Sequence, residues 1–321
     1  IIKYYVKKEC AKVEYDEFLK RKNIQIKENG FDVEIESLNK NLFDFQKHIV
    51  KLALKKGKYA IFADTGLGKT SIQIEWAYRI NKKTNKPILI LAPLGVTFQT
   101  IENSKEILGY NIKYIEKDED VINGINITNY EKIHKINTSV FCGVVLDESS
   151  ILKQYTGKTK EILIKSFKDT EYKLCCTATP SPNDDMELLN HSEFLGIMKS
   201  SEALSIFFIN DTQNMGTYKL KGHSVNDYWS WVCGWAYFIS NPKDYGFTQI
   251  DGYNLPKLNE LEIIVKNEVV QNNKLFYVPE KINATSLHKE KRNSLQSKIP
   301  EVLKIVEENK GKSILIWVYN N

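Results

Sequence analysis

The sequence predicts an α/β fold, a mostly parallel sheet with helices on both faces. Three observations carry that expectation. Short, fully apolar runs such as 86–93 (KPILILAP) and 141–146 (FCGVVL) have the composition of strands buried on both sides. They alternate with stretches of helical periodicity. Polar groups collect where the runs stop, at 64–70 (DTGLGKT), 147–150 (DESS) and 177–180 (TATP), the edge on which an open α/β sheet carries its site.

The bulk numbers agree. A chain of 321 residues, 42% hydrophobic and 26% charged, is long enough for one large domain or two ordinary ones with a real core. No apolar run reaches the length of a membrane span, so no membrane partner is expected. The chain opens on Ile1 without Met and reads as a fragment. Cys10, Cys142, Cys175, Cys176 and Cys233 show neither paired zinc spacing nor a secretory framework, which points to a reducing cytoplasm. A net charge of +5 permits a polyanionic partner without demanding one.

Residues 1–40 are mixed. Tyr15, Phe18 and Leu19 followed by Lys20, Arg21 and Lys22 suggest a short helix with a basic, solvated end. From Leu42 the pattern turns helical, with Phe45, Ile49, Val50, Leu52 and Ala53 on one face. Gln46 lies in this helix, and its amide can donate and accept at once, as pairing with the edge of adenine requires.

The next stretch organises the chain. Residues 58–63 read as a strand, 64–68 as a glycine-rich turn, and Lys69 onward as a helix. The string fits the phosphate-binding loop, with Ala63 where the first glycine usually stands. Gly66 and Gly68 let backbone N–H groups curl around phosphate oxygens, and the helix points its positive end at the same anion. Thr65, Gly66, Leu67, Gly68, Lys69 and Thr70 are therefore the candidate nucleotide-binding residues. Lys69 would reach the β- and γ-phosphates, and Thr70 would offer a hydroxyl to Mg²⁺. Ile72, Trp76, Ala77 and Ile80 should face inward along the helix.

Further strands are expected at 86–93, 112–115, 125–128, 141–146 and 172–177. The fourth ends in Asp147 and Glu148. In a nucleotide hydrolase, adjacent carboxylates divide the work: Asp147 would hold Mg²⁺, largely through water, and Glu148 would orient or deprotonate the attacking water. Thr177, Ala178 and Thr179 end the fifth, where the hydroxyls could bond the acidic pair and transmit the nucleotide state. Beyond Ser201 helices are expected at 201–209 and 226–239. Tyr228, Trp231, Trp235 and Phe238 share a side of the second, a spacing that needs only packing, although base stacking is an alternative. A strand at 261–265, a helix at 299–308 and a strand at 313–319 close the reading.

Taken in order, Gln46, ADTGLGKT, APLGV at 92–96, ITNYE at 127–131, LDESS at 146–150 and CTATP at 176–180 resemble the motifs of superfamily 2 helicases. The flavour is that of Swi/Snf-like and DEAD/DEAH-box proteins that phages carry. Asn183, Glu187 to Leu189, and Phe194 with Leu195 resemble the segment that follows the last of these motifs. The resemblance implies a RecA-like P-loop NTPase fold and ATP-driven movement on DNA, with RNA not excluded. ATP and Mg²⁺ would be the cofactors. It gives Gln46 to adenine, Lys69, Asp147 and Glu148 to catalysis, and Thr70 and Asp147 to the metal. Thr177, Ala178 and Thr179 would couple ATP to nucleic acid, while Pro93, Leu94, Asn129 and Tyr130 would lie against its backbone. The host would be a bacterial or phage-infected cell.

It also divides the chain into an accessory arm (1–40), a first RecA-like lobe (41–200), a helical extension and linker (201–258), and the start of an incomplete second lobe (259–321). The missing lobe is thus an expected partner. The sequence departs from the family at Ala63 and in reading DESS. Arg21, Arg79 and Arg292, its only arginines, match no arginine finger, and Arg79 lies along a helix leading away from the phosphates. The isolated chain should therefore bind ATP–Mg²⁺ weakly and hydrolyse it poorly. A nucleotide- or DNA-binding scaffold without turnover, part of a phage replication or restriction complex, is the alternative.

Overall fold

A computed structural model describes residues 26–153, 157–182, 184–210, 217–248, 253, 257–265 and 294–317. The chain separates into two compact units, 1–254 and 255–321. The first is built on seven strands: β1 (Lys58–Ala63), β2 (Ile88–Ala92), β3 (Ile112–Tyr114), β4 (Ile125–Asn129), β5 (Gly143–Asp147), β6 (Tyr172–Thr177) and a last strand, Ala236–Ile239. They pair in the order β3-β4-β2-β5-β6-β1 and then 236–239, all parallel.

Parallel pairing buries both faces, and the alternation of side chains along each strand splits the core in two. From β1, Ala60 and Phe62 join one layer, while Tyr59, Ile61 and Ala63 join the other. Helices α1 (Asp44–Lys56) and α2 (Lys69–Thr84) cover the second layer with Phe45, Ile49, Ile72 and Trp76. Helices α4 (Lys158–Ser166), α5 (Glu187–Leu195) and α6 (Ser200–Phe207) contribute to the first, following α3 (Leu94–Asn103) in the chain. The predicted three-layer α/β architecture is thus observed.

Two predicted elements of the first unit differ. The helix expected at 226–239 is α7 (Val225–Trp235), followed at once by the strand Ala236–Ile239. That strand pairs with β1, so the sheet draws on residues well beyond 200. Phe238 belongs to it rather than to the helix. Tyr228, Trp231 and Trp235 are fully buried, with edge and tilted ring contacts among them, and Trp231 stacks on Phe207, so packing accounts for them. The helix expected at 201–209 ends at Phe207, and Phe208–Asn210 (β7) pairs antiparallel with Tyr218–Leu220 (β8); the strand Ala236–Ile239 is hereafter β9.

In the second unit a helix, α8 (Leu295–Glu308), spans the amphipathic stretch expected at 299–308. In place of the strands expected at 261–265 and 313–319, residues 261–265 and 313–317 take no regular hydrogen-bonded form, and 318–319 lie outside the described residues. The basic cluster at Lys20 to Lys22, Arg292 and Asn183 lie outside the described residues.

Candidate active site

Three strand ends meet at one edge. β1 runs into the glycine-rich turn, and Asp64 N–H ties that turn to the end of β9 through Ile239 O at 2.9 Å. Gly66 and Gly68 both have positive φ, 83° and 72°, a region that costs other residues strain. Gly68 has a second reason to be glycine, because a Cβ there would lie 2.3 Å from the Gln46 amide nitrogen. A Cβ at Gly66 would meet nothing within 4 Å, so the loop is open on that side. Thr65 is exposed, whereas the Leu67 side chain is buried beneath the loop. Lys69 opens α2, and its Nζ donates to Ala63 O at 2.9 Å and Asp64 O at 3.2 Å, so the ammonium lies within the loop.

The acidic pair ends β5. Glu148 adopts a left-handed conformation (φ 58°, ψ 57°), unusual for a residue with a long side chain. Its Oε1 accepts from Thr177 Oγ1 at 2.5 Å and from Ser150 Oγ at 2.7 Å. Thr177 Oγ1 in turn accepts from Thr179 N–H at 3.0 Å. The expected link between the TAT turn and the acidic pair therefore exists as a direct hydrogen bond, with Ala178 half-buried between the two threonines. Burial pushes the Asp147 carboxyl above the usual range; the Gln73 amide and the Lys69 charge pull it back, and Glu148 adds to the rise.

A cleft of about 290 Å³ opens in front of these groups. Thr70, Asp147 and Glu148 form one wall, and Pro93, Gln99 and Asn103 are among the residues of the other. Thr70 and Asp147 thus face one space, and their oxygens are the hard donors that Mg²⁺ prefers. The Gln73 amide, fully buried on α2, lies against the Asp147 carboxyl and favours its charged form. The residues present therefore fit a magnesium–nucleotide.

Other candidates are placed differently from their expected roles. Gln46 is buried and already committed: Oε1 accepts from Phe43 N–H at 3.0 Å and Nε2 donates to Leu67 O at 3.2 Å. It braces the loop rather than offering a free amide to adenine. Pro93 and the exposed Leu94 begin α3 at the site edge. Asn129 and Tyr130 are buried, not presented on the surface. Asn129 Oδ1 accepts from Lys132 N–H, and Tyr130 OH donates to Asp147 O at 2.7 Å. Their expected contact with nucleic acid does not fit that burial; they support β4 and β5 from within.

Some groups were not singled out in the sequence. Gln99 and Asn103 stand four apart on a helix that starts at a strand end, and that spacing could have marked them. His191 and Ser149 are both fully buried and hydrogen-bonded, Nε2 to Oγ, at 3.1 Å. Burial holds the His191 imidazole down at about 4, so it is neutral near pH 7. Nothing local in the sequence marks that pair. Among the described residues no helix is long and apolar enough to cross a membrane.

Comparison with known proteins follows the same segment. Residues 35–182 match the family model described as "Type III restriction enzyme, res subunit". The mouse protein "DNA annealing helicase and endonuclease ZRANB3" is 27% identical over 177 residues, which is 50% of this chain and 16% of that protein. The chain thus spans about one sixth of that relative's length. The solved Sulfolobus solfataricus SWI2/SNF2 ATPase core in complex with dsDNA superposes with a TM-score of 0.52 at 18% identity, covering 67% of this chain and 47% of that one. At that identity the likeness speaks for the fold. With the phosphate loop and the acidic pair converging on one edge of a RecA-like sheet, residues 35–182 are similar to the N-terminal lobe of superfamily 2 helicases.

Proposed function

We propose that this lobe binds ATP with Mg²⁺ and, completed by a second lobe, hydrolyses it to drive movement along DNA. The observation that carries the reading is the Glu148 carboxylate, held by two hydroxyls in the same cleft as Thr70 and Asp147. A structural strand end has no need of a strained residue fixed in that way. Backbone N–H groups of the loop at Gly66 to Thr70 cradle the phosphates, and Lys69 leaves its two carbonyls to pair with them. Thr70 and Asp147 hold the cation, which when bound supplies positive charge to the phosphate oxygens. Glu148 orients a water and accepts its proton, and the bond from Thr177 keeps the carboxylate aimed. The mouse relative's description as a DNA annealing helicase makes DNA the polymer we choose. Pro93 and Leu94 at the start of α3 meet its phosphates, residues 259–321 begin the second lobe, and the protein works in the cytoplasm.

The test compares ATP turnover with and without DNA for this chain and for a chain extended by a complete second lobe. DNA-stimulated turnover in the longer chain, abolished by Lys69→Ala, is the expected result. Unchanged turnover in Lys69→Ala would remove the loop assignment. One observation favours the non-hydrolysing scaffold instead: Arg79, the one arginine among the described residues, is committed to Glu75 at 2.7 Å and cannot serve as a finger. Nucleotide and DNA binding without turnover in either chain, unaffected by Glu148→Gln, would select that reading.

A further inference from the structure

His191 and Ser149 meet directly behind the acidic pair. His191 lies on α5, Ser149 is the residue after Glu148, and both side chains are fully buried. Nε2 and Oγ are 3.1 Å apart. On its other side the ring faces the Glu187 carbonyl, Nδ1 to O at 3.4 Å. A carbonyl only accepts, so Nδ1 of the neutral ring carries the proton; Nε2 then accepts, and the Ser149 hydroxyl donates. The preceding residue of α5, Asn190, is equally buried and donates to Leu152 O at 2.8 Å. Two consecutive side chains of one helix thus grip the 3-10 turn Ser149–Leu152 at both of its ends.

The turn they grip sets the aim of Glu148. That residue takes a left-handed conformation, which its surroundings must enforce. Its carbonyl accepts from Ile151 N–H at 3.3 Å, and its carboxylate accepts from Ser150 Oγ at 2.7 Å, both within the same turn. A shift of the turn therefore carries the carboxylate with it. Packing alone does not call for the pair. A leucine facing an alanine would fill the space without burying a ring nitrogen and a hydroxyl that must find each other. The Phe62 ring stands perpendicular to the imidazole, with centroids 5.2 Å apart, and limits its rotation.

We propose that His191 is a positioning residue for ATP hydrolysis: through Ser149 it fixes the turn that holds the Glu148 carboxylate toward the attacking water. The proposal rests on the hydrolase reading of Glu148. To the Thr177 bond it adds a second restraint, which comes from α5 and touches neither nucleotide nor water. His191 acts here as an acceptor. A side chain that accepts at the same reach should therefore replace it, whereas one that only fills the space should not.

The test measures DNA-stimulated ATP turnover of the chain extended by a complete second lobe, per nucleotide site counted by titration with ADP and Mg²⁺. Counting sites removes any loss of folded protein from the comparison. His191→Met keeps the reach and loses the acceptor, so kcat per site should fall about tenfold with KM for ATP unchanged. His191→Gln restores an acceptor and should keep most of the parent kcat. Ser149→Ala, which removes the donor with little change in volume, should lower kcat as far as His191→Met does. In that background His191→Met and His191→Gln should be equivalent, because the bond they differ in is already gone. With Ser149 intact, equal turnover in His191→Met and His191→Gln would overturn the proposal and leave the pair to packing. A loss of kcat matched by an equal loss of nucleotide affinity would overturn it too. If Glu148→Gln turns over ATP as the parent does, the hydrolase reading itself fails, and the two failures are thereby distinguished.

Discussion

Helix α2 buries two polar side chains two residues apart and treats them in opposite ways. Glu75 is fully buried, yet its carboxylate receives Asn39 N–H at 3.1 Å, Arg79 Nε at 2.7 Å and Tyr110 OH at 2.8 Å. Arg79 also donates to Ser37 O, and the Tyr110 ring stacks on Tyr78 with centroids 3.9 Å apart. Burial, and the carboxylate it bonds, help push the Tyr110 hydroxyl up to about 12, so it stays a donor throughout the working pH range. This network fastens the segment before α1 and the end of the α3 region to α2, and it leaves the carboxylate well paired. Gln73, equally buried, turns instead to Asp147, whose charged form its amide favours. One side of the helix closes on a network that holds the fold; the other bears on the acidic residue of the cleft.

Breaking the completed side should cost most. Glu75→Leu strands Arg79 and removes a partner from Tyr110, so it should destabilise by about 3–5 kcal/mol, measured by urea unfolding. Nucleotide affinity per folded molecule should stay near the parent value, since the network faces away from the cleft.

The second effect comes from the pH dependence of His191. Its folded value near 4 lies below the ordinary 6.5, so the unfolded chain binds the proton first. Its contribution is intact above pH 6.5, falls as the pH drops from there to about 4, and is fully lost below that, a total of about 3 kcal/mol. His191→Gln should flatten that limb of the stability profile, read by thermal melts between pH 7 and 4. An unchanged limb would mean the imidazole is not desolvated as its burial indicates.

Third, Thr177→Val deletes the hydroxyl that donates to Glu148. Losing a hydrogen bond to a charged group is worth about 1.5–3 kcal/mol. ATP turnover of the two-lobed protein should fall about tenfold or more, while nucleotide affinity changes little. Equal losses in both would make Thr177 a binding residue.

What the sequence made legible follows from how each feature is encoded. β1, β2, β5 and β6 are apolar runs ending in chemically distinctive turns, and the sheet edge could be read from them. The inward face of α2, with Ile72, Trp76, Ala77 and Ile80, follows from helical spacing and is observed buried. Arg79 was expected to point away from the phosphates, and it does so in the grip of Glu75. β9 was hidden because the aromatic helical pattern runs on through Phe238, and Gly234, beside the helix end, was the only break signal there. Gln46, Asn129 and Tyr130 carry side chains that could serve a ligand, but their partners, the Leu67, Asp147 and Lys132 backbones, are set by packing between distant segments. Gln73 escaped notice for the complementary reason. A glutamine inside a regular helix is ordinary; that its amide meets Asp147 is set by the packing of α2 on β5, not by any local pattern.

The central claim is that the glycine turn and the acidic pair together hold a nucleotide with its cation. Calorimetric titration of this chain with a non-hydrolysable ATP analogue, in the presence and absence of Mg²⁺, tests it most directly. The account predicts saturable binding that Mg²⁺ strengthens, lost in Lys69→Ala and stripped of its Mg²⁺ dependence in Asp147→Asn. Binding that ignores both substitutions, or none at all in the parent chain at millimolar analogue, would contradict it.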